Sequence, residues 1–144
     1  MMETNKRLML GNLVKYRKTE TCKIVNIADD VVCLRKCSDG FMTYARYDDI
    51  ECIPLTDKFF LCNDYGISHP VRYKGGGRLV SHIVPMDGFG PAITKYTIDD
   101  INDLSFYENE IEYYITGIMI RTVDDFQNIM NICGLCEIAD KIHM

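Results

Sequence analysis

The chain has no tryptophan, only four prolines and three histidines. It also has no apolar run near the roughly 20 residues that a membrane-spanning helix needs. Each scarcity excludes something. Without such a run, no helical membrane span is expected. His69, His82 and His143 stand far apart, with no acid or nucleophile at a recognisable spacing, so no hydrolytic triad can be read. Basic residues are scarce at the C-terminal end: residues 99–144 hold two against ten acidic ones, whereas residues 1–57 hold nine of each and residues 58–98 hold five against two. An acidic third disfavours general nucleic-acid binding, because phosphate contacts need clustered Lys and Arg. The opening MMETNKRLMLGN lacks the apolar stretch of a signal peptide. The seven cysteines, Cys22, Cys33, Cys37, Cys52, Cys62, Cys133 and Cys136, are odd in number and dispersed. They do not read as a disulfide framework. Reduced, mostly buried thiols and a cytoplasmic setting are expected.

What is present describes a globular protein. Its 144 residues suit one domain, or two small fused subdomains, and 47% apolar with 26% charged content argues against disorder. A chain of this size buries about 70% of its unfolded surface. The net charge is −5, and nine Tyr with six Phe supply the large rings.

The first third reads as short strands: LGNLVKY, CKIVNIA, VVCLRKC, FMTYARY and IECIPL, separated by turn signals at Ala28-Asp29-Asp30 and Ser38-Asp39-Gly40. Pro54 ends this series, and Thr56 is placed to cap a short helix, DKFFLCND. VRYK and LVSHIV around Gly75-Gly76-Gly77 read as a hairpin, and AITKYTI as a further strand after Gly90-Pro91. IEYYITGIMI reads as one strand buried on both faces, with Gly117 marking a bulge. Thr122 and Asp125 have the spacing of a capping box before VDDFQNIMNIC. Phe126, Ile129, Met130 and Cys133 are then expected on one apolar helix face, and Gly134 as its left-handed terminator. The expected class is therefore α+β. A five-stranded SH3-like antiparallel unit over residues 1–57 precedes a mixed sheet with one long C-terminal helix over residues 58–144, the two halves fused or sharing one core.

Several constellations carry candidate chemistry. Cys133 and Cys136 have the two-residue spacing of redox and zinc sites. The predicted helix precedes the pair, which puts Cys133 at the end that does not favour a thiolate. Packing is thus the preferred reading. The alternatives are a zinc site completed by Cys33 and Cys37, with His143 in reserve, or redox chemistry. The most ligand-like stretch is Arg72, Lys74, Gly75, Gly76, Gly77 and Arg78, where glycine N–H groups and three cations could hold a phosphorylated small molecule. It lacks the Lys-Ser/Thr ending of a P-loop, and a solvated hairpin tip is the plainer reading. His82 alternates with Val80 and Val84 and is expected to share their strand face. The acidic residues Asp99, Asp100, Asp103, Glu108, Glu110 and Glu112 lack the glycine-turned loop of an EF-hand and read as exposed faces. Tyr44, Arg46 and Tyr47, with Phe41, form an aromatic and basic set on the fourth strand that suits recognition of a partner. Alternation places Phe41 with Tyr47 on one face and Tyr44 with Arg46 on the other, so at least one ring is expected in the core.

At GNLV (residues 11–14), IECIPLTD (residues 50–57), VDDFQNIM, Gly134 and LCEIA, the chain resembles small proteins of unknown function encoded by phages and mobile elements of gut Bacteroidetes. The resemblance covers about the first 57 and last 25 residues. It implies a short final strand at LCEIA and an accessory product acting in the host bacterial cytoplasm or built into a virion. It carries no catalytic residues.

The function expected from these features is non-enzymatic. The protein binds a protein partner, a host factor or a virion component, with no cofactor, no metal, no nucleic acid and no membrane, and with homo-oligomerisation open. One alternative is a small-ligand binder holding a nucleotide-like anion at the Gly-rich hairpin. A further alternative is a thiol- or zinc-dependent protein using Cys133 and Cys136.

Overall fold

A computed structural model describes residues 8–72, 78–98 and 110–144. The chain divides into two compact units: Met1–Leu55 with Thr122–Met144, and Thr56–Arg121.

The first unit is built on a five-stranded antiparallel sheet in the order β4-β3-β2-β1-β5. Its strands are β1 (Leu13–Tyr16), β2 (Glu20–Ile27), β3 (Val31–Lys36), β4 (Met42–Arg46) and β5 (Ile50–Cys52). They follow the five apolar runs of the sequence. The turns are set locally: Gly40 takes a φ of 79°, and the Asp39 carboxylate accepts from the Phe41 N–H at 2.9 Å. Alternate residues Val14, Tyr16, Cys22, Ile24, Val32, Leu34 and Ala45 turn to one side, where Leu8, Tyr47 and Ile50 complete a continuous core. A bulge between Ile24 and Asn26 bends β2.

Two helices complete this unit: α2 (Val123–Ile132) and α3 (Cys136–Lys141), with α1 (Asp57–Cys62) belonging to the other. The start of α2 is a full capping box: Thr122 Oγ1 accepts from the Asp125 N–H, and the Asp125 carboxylate accepts from the Thr122 N–H. Gly134, at φ 78°, turns the chain out of the helix. The segment expected as a final strand, LCEIA, is instead helical, and the expected single long helix is α2 followed by the short α3. The C-terminal helices also fall with the N-terminal sheet, whereas a division at residue 57 would group them with the second unit. The reason is visible in hydrogen bonds: the Val123 N–H donates to Ile53 O at 2.8 Å, and the Leu13 N–H donates to Gln127 Oε1 at 2.9 Å.

The buried residues of α2 are Val123, Asp124, Phe126, Gln127 and Met130, so the helix is rotated from the stripe expected, with Ile129 and Cys133 outside it. Gln127 belongs there because it is fully used: Nε2 donates to Gly11 O at 3.1 Å and Ala139 O at 3.3 Å, while Oε1 takes the Leu13 N–H. Cys133 is consequently the exposed C-cap rather than a core residue.

The second unit holds a six-stranded sheet, β11-β10-β9-β8-β6, with β7 also paired to β8. The strands are β6 (Tyr65–Ile67), β7 (Val71–Arg72), β8 (Arg78–Pro85), β9 (Ile93–Ile98), β10 (Glu110–Ile115) and β11 (Ile118–Ile120). All described pairings are antiparallel, so the sheet is not the mixed one expected. IEYYITGIMI is not one strand but a hairpin, because Thr116 and Gly117, at φ 47° and 81°, form a tight turn between β10 and β11. Helix α1, capped by Thr56, lays Phe60 edge-on against Tyr65 at 5.7 Å and beside Tyr113 at 5.3 Å between ring centres. No helix in the described residues is long and apolar enough to cross a membrane.

Candidate functional site

Strand β4 is the edge of the first sheet: among the described residues it pairs only with β3. The register Val31↔Arg46, Cys33↔Tyr44, Arg35↔Met42 puts Met42, Tyr44 and Arg46 on the outward face, since directly opposite residues share a side. Ala45, on the inward side, is buried. Tyr44 is 75% exposed, Met42 55%, and Phe41, in the preceding turn, 70%. These are large apolar surfaces left in water on one strand.

The same face continues inward with a second row. Arg35 lies opposite Lys23 on β2, and Lys23 opposite Leu13 on β1. Two like charges directly across a ladder repel and gain nothing from each other. Among the described residues, neither Lys23, Arg35 nor Arg46 forms an ion pair, so this face presents three uncompensated cations around an exposed tyrosine. On the same face Lys15 donates to Thr21 Oγ1 at 2.9 Å, and Glu51 lies opposite Lys15 on β5.

Of the partner-binding residues expected, the structure brings Tyr44 and Arg46 together on this face and removes Tyr47. Tyr47 is 9% exposed, and its hydroxyl donates to Ala28 O at 2.7 Å. Tyr47 follows the inward side of Ala45, as alternation requires, and a 3₁₀ turn over Tyr47–Asp49 ends the strand there. Met42 shares this face by alternation along β4, whereas only the register between strands reveals that Arg35 and Lys23 do.

The expected anion site is split. Arg72 ends β7 and is exposed, Arg78 opens β8, and Lys74, Gly75, Gly76 and Gly77 lie outside the described residues. So do Asp99, Asp100, Asp103 and Glu108. His82 lies on β8 between Val80 and Val84 and is exposed, as are His69 and His143.

The cysteine pair does not pack. Cys133 closes α2, Cys136 opens the six-residue α3, and both are exposed. The thiols are also less buried than expected: Cys37 and Cys62 are exposed and Cys52 is intermediate, leaving Cys22 and Cys33 in the interior. Burial, aided by Cys37 and Glu20, pushes the Cys22 thiol up. Among the described residues no three His, Cys, Asp or Glu side chains gather as metal ligands would.

Two polar arrangements were not legible beforehand. In the second unit, Asp57 at the start of α1 accepts from Lys95 Nζ at 2.6 Å and from the Tyr113 hydroxyl at 2.8 Å. Burial, the hydrogen bond to Asp57 and its charge all push the Tyr113 phenol upward. Lys95 and Tyr113 thus meet on one carboxylate and clasp α1 to the sheet. In the first unit, Asp124 is completely buried, and among the described residues neither carboxylate oxygen has a hydrogen-bond partner. It lies in the first turn of α2, where the positive helix end favours a carboxylate.

Compared with protein-family models, curated proteins and solved structures, the chain finds no match.

Proposed function

We propose that the protein is a non-enzymatic accessory factor that binds a protein partner through the outward face of its N-terminal sheet. The five strands then serve as an SH3-like recognition module. The supporting observation is Tyr44: a ring 75% exposed on an edge strand, flanked by Met42 and by Arg46, which forms no ion pair among the described residues. Removing one such side chain from water contributes about 1.5–3 kcal/mol, and Tyr and Arg are the residue types that dominate binding surfaces. Interior positions of the same sheet are filled by its own core, which includes neither Phe41 nor Tyr44.

The setting that suits this reading is the one implied by the resemblance at the two chain ends: a phage or mobile-element product acting in the host bacterial cytoplasm, on a host factor or within a virion. The test is affinity capture from cells expressing the tagged full chain, run in parallel with the Tyr44→Ala and Arg46→Ala variants. A stoichiometric partner held by the wild type and lost by both variants, with circular dichroism unchanged, supports the reading. Equal capture by all three removes this face from the function.

A further inference from the structure

We infer that the β4 edge takes an acidic, extended peptide as an added strand, with carboxylates four residues apart and an apolar side chain midway between them. This rests on the reading of that face as a partner site and specifies the partner's chemistry.

The hydrogen bonds fix which backbone groups are free. The Lys36 N–H donates to Phe41 O at 2.8 Å, so the pairs Leu34↔Thr43 and Val32↔Ala45 are the ones that exchange backbone bonds. Met42 and Tyr44 therefore turn both N–H and C=O to the open side, and Arg46 its N–H, its carbonyl being the cap of the 3₁₀ turn that follows. Their side chains stand on the exposed face. The residues able to bond an incoming strand are thus the residues whose side chains would read it.

The charge on the face selects the occupant. A residue placed opposite Arg46 meets a guanidinium directly. Four positions along, opposite Met42, a side chain meets the thioether and, about 10 Å away across two strand spacings, Arg35. Long Arg and Glu side chains together span that gap. Lys23, opposite Arg35, adds to the same positive row. The middle position lies over Tyr44, which is 75% exposed. The pattern that fits is carboxylate, any, apolar, any, carboxylate. A carboxylate near Arg35 and Lys23 also relieves their mutual repulsion.

Two other occupants fit less well. A second copy of β4 would bring Arg46, Arg35 and Lys23 of one chain against the same cations of another. A single-stranded nucleic acid needs successive stacking rings, and the strand offers only Tyr44 here because Tyr47 is in the core.

The experiment uses the full chain and a nine-residue synthetic peptide centred on Glu-Thr-Val-Thr-Glu. Its controls are the same peptide with Lys for Glu, one N-methylated along its bonding edge, and a single-stranded oligonucleotide. Binding is followed by amide NMR shifts. The acidic peptide is expected to shift the Met42, Tyr44 and Arg46 amides, to weaken at least tenfold when salt is raised from 50 to 500 mM (about a threefold shorter screening length), and to lose at least tenfold with Tyr44→Ala, Arg35→Glu or Arg46→Glu. All three positions are exposed, so folding is retained and is checked by circular dichroism. Equal binding of the acidic and lysine peptides, no shift at millimolar acidic peptide, equal binding of the N-methylated form, β4 shifts with the oligonucleotide alone, or concentration-dependent self-association that occupies β4 each overturns the proposal. The reading of the face itself fails separately: a partner captured through Tyr44 but not displaced by the acidic peptide leaves that reading intact and sinks this one.

Discussion

Asn12 Nδ2 donates to Asn128 Oδ1 at 2.8 Å, joining residues 116 positions apart. Asn12 also closes its own turn, accepting the Met9 N–H on Oδ1 at 2.7 Å and the Ile24 N–H on its carbonyl at 2.9 Å. With Gln127 on the same helix bound to Leu13, Gly11 and Ala139, the GNLV and VDDFQNIM segments form one polar seam. The two ends of the chain are therefore one folding unit.

Gln127→Ala should be among the most destabilising single changes in the protein. It leaves the Leu13 N–H and the Gly11 carbonyl without this partner, while the Ala139 carbonyl keeps the Ile142 N–H, and an orphaned buried group costs about 1–3 kcal/mol. A loss of about 2–4 kcal/mol in urea denaturation is expected, since the two terms do not add fully. Gln127→Glu, which keeps the acceptor but loses the donor and adds a charge, should be no better tolerated. A change below about 0.5 kcal/mol would show that the seam does not hold α2 to the sheet.

Thr122→Ala should cost about 1 kcal/mol, because it removes the hydroxyl that accepts the Asp125 N–H and undoes half of a reciprocal pair. Thr122→Asp restores the acceptor and should recover most of that loss. Thermal unfolding of the three proteins compares them directly.

Stability should fall steeply on the alkaline side. Burial and the Asp87 charge push Tyr65 from 10 up to about 12, and Tyr113 is raised further by burial and Asp57. A phenol whose folded value lies above its unfolded one stabilises the fold fully below the unfolded value, near pH 10. That contribution is lost as pH rises through the folded value. For Tyr65 the window runs from pH 10 to about 12, and about 2–3 kcal/mol is at stake. Ultraviolet titration of phenolate should show these two rings ionising only with unfolding, and Asp57→Asn should let Tyr113 ionise at lower pH. Ionisation of all nine tyrosines together near pH 10, with the fold intact, would contradict this.

Thiol reactivity should follow position. Cys37, Cys62, Cys133 and Cys136 are exposed and should react rapidly with Ellman's reagent in the native protein. Cys22, buried in the sheet core with its thiol pushed up, and Cys33 should react only on denaturation. Fast modification of Cys22 under native conditions would mean that the β2 core opens readily.

Much of the fold was legible because it is specified by neighbours in sequence. The five strands of the first unit, the Thr56 and Thr122 caps, the Asp39-Gly40 turn and the left-handed Gly134 each rest on chemistry within about four residues. LCEIA reads as a strand because a five-residue apolar and polar mix carries no period strong enough to separate helix from strand. IEYYITGIMI was misread for the opposite reason: uniform β-character hid a turn that needed φ > 0 at Thr116 as well as at Gly117. Of the candidate site, Tyr44 and Arg46 were visible from alternation, while Lys23 and Arg35 were not, since nothing local says which strands lie side by side.

By itself, then, the sequence determined the five strands of the first unit and the capped starts of α1 and α2. Tertiary structure decided the rest: that α2 turns Gln127, not Cys133, toward the sheet, that Tyr47 is interior while Tyr44 is bare, and that cations from three neighbouring strands share one face. Capping and turn preferences act over a few bonds, whereas strand register and the rotation of a helix about its axis are set by which distant groups satisfy one another.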